Sequence, residues 1–189
     1  HLERTRAFLA AEAAACARRR TAVILGAGAC LDVPLEQLAA SFARVILVDA
    51  VFLRRTRALV KQFPNVECLT HDLTESLCLL NQPCQPDLVA QLSGIRPRLL
   101  LDNAQVDFVA SVNLVSQLPL LPMRRLLASG RYAPQAVNQL GLQLMAAHVR
   151  YLDAFTGRKA MVFDAEMWGL NPDGERQDVI DLRPVLQLP

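Results

Sequence analysis

A chain of 189 residues with 52 % hydrophobic and 20 % charged side chains can bury one substantial core and lies far from the composition of disordered proteins. A formal charge of +2 is too small to argue for nucleic acid, and no apolar run approaches the roughly 18–20 residues of a membrane span, so neither partner is expected. Five cysteines, Cys16, Cys30, Cys68, Cys78 and Cys84, form no C-x-x-C pair. That points away from a metal site and a disulfide framework and towards reduced thiols in a cytoplasmic protein.

Leu2 to Arg19 is rich in Ala, Arg and Glu and reads as a helix with one packed face. Arg18-Arg19-Arg20, like Arg54-Arg55 later on, reads as a solvated helix end. Thr21 to Leu25 is an apolar strand that runs directly into Gly26-Ala27-Gly28, the arrangement that lets a strand turn sharply and a ligand approach bare backbone. Pro34 to Phe42 has helical spacing, with Pro34 tolerated in the first turn. Val45 to Val48 is a fully apolar run, as in a strand covered on both faces, and ends at Asp49. A helix over Phe52 to Phe63 stops at Pro64, and Val66 to Thr70 is a third strand ending at His71-Asp72, with His71 read as a loop residue.

Between Leu73 and Asn103, Pro83, Pro86 and Pro97 interrupt the periodicity, and Leu99 to Leu101 reads equally as a strand or a buried turn. A fourth strand covers Val106 to Asn113, a short helix Leu120 to Leu127, and a long helix Pro134 to Phe155 after a break at Gly130. A fifth strand is placed over Ala160 to Trp168. Asn171-Pro172-Asp173-Gly174 has turn chemistry, and Asp178 to Leu182 can pair back as a strand. The alternation predicts one α/β domain over residues 1–189 with a parallel sheet, its ligands bound beyond the carboxyl ends of the strands. The short tail beyond the fifth strand leaves C-terminal truncation open, and no oligomeric state follows from the sequence.

Residues 20 to 168 together resemble the class I methyltransferases that use S-adenosylmethionine. The resemblance implies a doubly wound, mostly parallel sheet with helices on both faces and a helix before the first strand. It implies methyl transfer from that cofactor to a small-molecule acceptor, through positioning of a nucleophile and without a metal. Gly26, Ala27 and Gly28 then lie under the amino-acid part of the cofactor. Asp49, with Ala50, takes the ribose hydroxyls, and Asp72, with Leu73, meets the adenine amine. Asn113 ends the strand that borders the methyl-transfer site, and Ser116, Gln117 and Trp168 are candidates to meet the substrate. No residue is singled out as catalytic.

The chain departs from the family pattern at Ile24, where an acid is common, and at Cys30, in the place of a third glycine; Asp32 is placed to compensate for the missing acid. Each site residue also has a structural account: Asp32 as a helix-start acid, Asp49 and Asp72 as caps, Asn113, Ser116 and Gln117 as caps of the following helix. Asp164, Glu166 and Trp168 alternate onto one face, where exposure is the simpler account. One rival reading is an NAD(P)-dependent oxidoreductase, disfavoured by Leu31 at the third glycine of Gly-x-Gly-x-x-Gly and by the lack of Tyr-x-x-x-Lys, since Lys61 and Lys159 are the only lysines. The other is a methyltransferase-like protein that binds without catalysing.

Overall fold

A computed structural model describes residues 1–82, 85–171 and 173–185, excepting the side chains at 167–170, 176–180 and 185. Pro83, Cys84 and Pro172 lie outside the described residues. The chain runs α1 (Leu2–Ala14), β1 (Thr21–Leu25), α2 (Leu35–Ser41), β2 (Arg44–Asp49), α3 (Arg54–Val60), β3 (Val66–Thr70), α4 (Leu77–Leu80), α5 (Leu88–Ser93), β4 (Val106–Val112), α6 (Leu120–Ala128), α7 (Pro134–Asp153), β5 (Arg158–Val162), β6 (Glu166–Leu170), β7 (Arg176–Asp181) and α8 (Leu182–Val185).

Five strands form one parallel sheet in the order β3-β2-β1-β4-β5. β1 lies at its centre, every residue buried, because Thr21 to Leu25 offers both faces something apolar to cover. Ala22, Ile24, Val45, Leu47, Phe108 and Ala110 pack on one side with Leu9 of α1, Leu38 of α2 and Val60 of α3. Val23, Leu25, Ile46, Val48 and Val109 pack on the other with Tyr151 and Leu152 of α7. Alternate residues of each strand thus feed two cores; the sheet is parallel, as the alternation of elements predicted, and doubly wound, as the resemblance implied. Among the described residues no helix is long and apolar enough to cross a membrane.

Several boundaries differ from expectation. α1 stops at Ala14, and Arg20 is no solvated helix end: its guanidinium and its backbone N–H both bind the Asp107 carboxylate of β4, at 2.5–3.2 Å. This pairing holds the Asp107 carboxyl below the usual carboxylate range. Leu99 to Leu101 is a turn, with Leu100 at φ 61° and the Leu99 carbonyl accepting from Tyr151 Oη at 2.8 Å.

The expected fifth strand over Ala160 to Trp168 is two strands. β5 begins at Arg158 and ends at Val162; β6 starts at Glu166 and pairs antiparallel with β7 in a separate sheet. Asp164 and Trp168 therefore do not share a strand face. The turn between β6 and β7 is held by Asn171, whose Oδ1 accepts from the Asp173 and Glu175 N–H groups at 3.0 and 2.8 Å.

Beneath the carboxyl ends of the strands, His148 of α7 is 1 % exposed and its Nε2 lies 2.8 Å from Ser111 Oγ of β4. Burial lowers its pKa to about 4, so the ring is neutral at pH 7. The unfolded chain then binds the extra proton first as pH falls, starting near the ordinary histidine value of 6.5. Stability is therefore expected to drop by about 2 kcal/mol between pH 7 and pH 5 in urea titrations. In His148→Phe that part of the pH dependence disappears.

Candidate functional site

The first two glycines of the sequence motif fold the chain across the end of β2. The Gly26 and Ala27 N–H groups donate to the Val48 carbonyl at 2.9 and 3.3 Å. Gly26 has φ 80°, and a Cβ there would lie 2.8 Å from the Val112 carbonyl oxygen and 2.9 Å from Leu114 Cβ. Ala27 is buried and its methyl joins the core beside Ile24 and Cys30. Gly28 N–H donates to Asp49 Oδ2 at 2.8 Å, and the Gly28 carbonyl accepts from Thr56 Oγ1 at 3.0 Å. Asp49 Oδ1 accepts from Val51 N–H at 3.1 Å. One carboxylate thus fastens the glycine turn to the end of β2, and each of its oxygens retains a further acceptor direction.

Cys30, in the family's third glycine place, has φ 56°, the left-handed conformation a glycine would take. Its thiol is buried and pushed up to about 12, so it is no nucleophile at neutral pH. The side chain of Asp32 reaches across the turn to the end of β4, where Asn113 Nδ2 donates to Asp32 Oδ2 at 2.6 Å. Asn113 itself sits at φ 49°, held by its N–H to the Val162 carbonyl at 2.8 Å. Its Oδ1 is buried with no hydrogen-bond donor, which leaves an acceptor unsatisfied beside the turn.

Asp72 follows β3. Its Oδ1 accepts from Thr74 N–H and Thr74 Oγ1, its Oδ2 from Ser76 N–H and Leu77 N–H, all at 2.7–3.0 Å. Four donors take its four acceptor directions, so the carboxylate organises the entry to α4 and has little capacity left for another donor. Asp72→Ala is expected to lower stability by about 2 kcal/mol while weakening any ligand held by Asp49 far less than Asp49→Ala does; urea unfolding and calorimetry on the two variants separate these effects.

Asp49, Ala50, Asp72 and Leu73 form one wall of a cleft of about 190 Å³. Leu114, Gln117, Leu118, Leu121 and Pro122 form the facing wall. Among the described residues no lysine or arginine lines it. Gln117 also donates to the Asn113 carbonyl at 2.7 Å, which ties this wall to the turn. Ser116 is buried outside the cleft lining and donates to Asp164 Oδ2 at 3.1 Å, and the β6 backbone carries Trp168 into the second sheet. Of the substrate candidates, Gln117 lines the cleft and Ser116 does not; the Trp168 side chain lies outside the described residues. Thr56 was not foreseen: a lone threonine inside an arginine-rich helix carries no sequence signal that it holds a glycine turn. No group of His, Cys, Asp and Glu among the described residues is placed to hold a metal ion.

Fold and site together define a doubly wound α/β protein with an acid-lined glycine turn at the carboxyl edge of its sheet. No family model and no curated protein matches the chain. Three solved structures do. DhpI bound to SAH is 17 % identical, with 95 % of this chain over 64 % of that one and a TM-score of 0.40. DhpI with SAM and HEP is 15 % identical, with 95 % of this chain over 71 % of that one and a TM-score of 0.42. A protein from Thermobifida fusca YX, provisionally described as a methyltransferase, is 20 % identical, with 98 % of this chain over 53 % of that one and a TM-score of 0.39. The chain thus spans between about half and seven-tenths of their lengths. At that distance no activity or residue role is carried over from them.

Proposed function

We propose that the protein is an S-adenosylmethionine-dependent methyltransferase acting on a small molecule. The observation that carries this reading is the charge around the glycine turn. In a dinucleotide site a pyrophosphate meets free N–H groups at a helix start directly after the glycines. Here α2 begins only at Leu35, Gly28 N–H is already given to Asp49, and Asp32 and Asp49 flank the turn. Two carboxylates and an unsatisfied buried amide oxygen repel a diphosphate and suit a ligand that carries a sulfonium and an ammonium.

The residues present fit that cofactor. Asp49 keeps acceptor capacity on both oxygens for two ribose hydroxyls, and Asp32 with Asn113 Oδ1 offers acceptors for the ammonium in place of the acid absent at Ile24. When bound, the cofactor supplies a methyl group on a positively charged sulfur, which departs as a neutral thioether. The protein's part is to hold an acceptor atom in line and keep water out, a task for the wall of Leu114, Leu118 and Leu121 with Gln117 as its polar member. Among the described residues the cleft lining holds no histidine or lysine, Asp72 is engaged by four protein donors and Asp49 is given to the ribose, so the acceptor is one that attacks without strong activation or loses its proton to water. Calorimetric titration with S-adenosylmethionine, S-adenosylhomocysteine and NAD tests the reading. Binding of the first two and not of NAD is expected, and binding of NAD alone would sink it.

A further inference from the structure

Of the eight large apolar side chains exposed among the described residues, five flank the cleft; Leu2 and Phe8 of α1 and Leu31 are the other three. Val51 (67 % exposed) and Leu53 (46 %) follow β2 on one side of the cleft. Leu120 and Leu121 (55 % each) and Leu127 (43 %) lie on α6 on the other. Ala50 and Leu121 line the same cleft, so these two groups are its opposing rims.

Arginines accompany the apolar residues on both rims. Arg54 and Arg55 begin α3, immediately after Leu53, and Arg124 and Arg125 lie one turn into α6. All four are exposed, and none has an ion pair or hydrogen bond through its side chain among the described residues. Neither helix carries an acid: α3 reads Arg-Arg-Thr-Arg-Ala-Leu-Val and α6 Leu-Leu-Pro-Met-Arg-Arg-Leu-Leu-Ala. The carboxylates between the rims, Asp49 and Asp72, are held by protein N–H and hydroxyl donors. The outer faces of both rims thus present guanidinium groups interleaved with apolar side chains, while the carboxylates lie inside the cleft between them.

We propose that this end of the molecule docks on a lipid bilayer surface carrying anionic headgroups, with the cleft opening onto it. A small ligand in the cleft touches its inner walls and cannot cover leucines and arginines on the outside of both rims, whereas a planar surface reaches both at once. Leucine inserted at the headgroup boundary beside arginine on anionic lipid is the pairing by which peripheral proteins hold a membrane. The proposal rests on the surface alone and stands whether or not the cleft takes S-adenosylmethionine.

Sedimentation with vesicles tests it. The protein is expected to pellet with equal parts phosphatidylglycerol and phosphatidylcholine at about 0.1 M salt, to stay in solution with phosphatidylcholine alone, and to be released at about 1 M salt. Arg124→Gln with Arg125→Gln is expected to weaken binding about 30-fold, and Leu120→Ser with Leu127→Ser to weaken it with the charges intact. Arg18→Gln with Arg19→Gln, just before the amino end of β1, serves as the control and leaves it unchanged. Circular dichroism confirms that each variant is folded. Failure of the folded protein to bind the anionic vesicles overturns the proposal, and so does an equal loss in the control pair. Binding to poly-uridylate at least as tight as to vesicles, unaffected by the leucine substitutions, would assign the rims to nucleic acid. A dimer that those substitutions dissociate, without change in vesicle affinity, would assign them to a second copy of the chain.

Discussion

Replacing Asp49 with alanine is expected to weaken S-adenosylhomocysteine binding at least 100-fold in calorimetry. Two losses combine. The carboxylate offers a charged acceptor to each of two hydroxyls, and hydrogen bonds to a charged group contribute about 1.5–3 kcal/mol each. The same carboxylate also holds Gly28 N–H and Val51 N–H, so its removal frees the glycine turn from the end of β2. Asp49→Asn separates the two effects, since the amide oxygen can still accept from Gly28 while the charge is gone; its affinity should lie between those of the wild type and Asp49→Ala. Unchanged affinity in Asp49→Ala would remove the ribose role from this residue even if the cofactor still binds.

Gly26→Ala is expected to cost about 3 kcal/mol or more of folding stability, the larger structural effect of any single substitution at the site. A φ of 80° disfavours an L side chain by about 1–2 kcal/mol on its own. The added methyl would also press on the Val112 carbonyl oxygen and Leu114 Cβ, both under 3.0 Å, and neither is the free end of a flexible chain. Relief requires the end of β4 to retreat from the turn, which pulls Asn113 away from Asp32. The variant should therefore show both a lower urea midpoint and weaker ligand binding. At Gly28 a Cβ would come no closer than 3.4 Å to Asp49 Oδ2, so Gly28→Ala is the milder change despite its φ of 40°.

The central strands were legible in the sequence because burial on both faces demands uninterrupted apolar residues, as in Val45 to Val48 and Thr21 to Leu25. The edge was harder to read. β5 starts with Arg158 and Lys159, two cations that look like loop, because the ion pairs that accommodate them at its exposed start, to Glu12 of α1 and Asp153 of α7, are made across the fold. The apolar pattern then runs on through Phe163 past the point where pairing with β4 ends, which hid the break before β6.

In the site, Asp49 and Gly26 follow from pattern, since an acid at the end of the second strand and a glycine at the end of the first have few other reasons to coincide. The engagement of Asp72 by Thr74, Ser76 and Leu77 could not be read the same way: a capping carboxylate and a ligand-binding one look identical until the local backbone is known. The contact between Asp32 and Asn113 joins residues far apart in the chain, and no local signal announces it.

The position of β1 has a kinetic consequence. Its two neighbours are β2, which follows within one helix, and β4, which arrives only after the irregular segment that holds α4 and α5. During synthesis the first three strands can pair while one side of the most apolar strand stays open, a template for any other extended chain. Closing it requires a long loop to be paid for in entropy before β4 adds its hydrogen bonds, which is the slow kind of contact. The strand that carries the glycine turn is therefore a central strand left with an open side until β4 arrives, and aggregation of partly made chains should begin there.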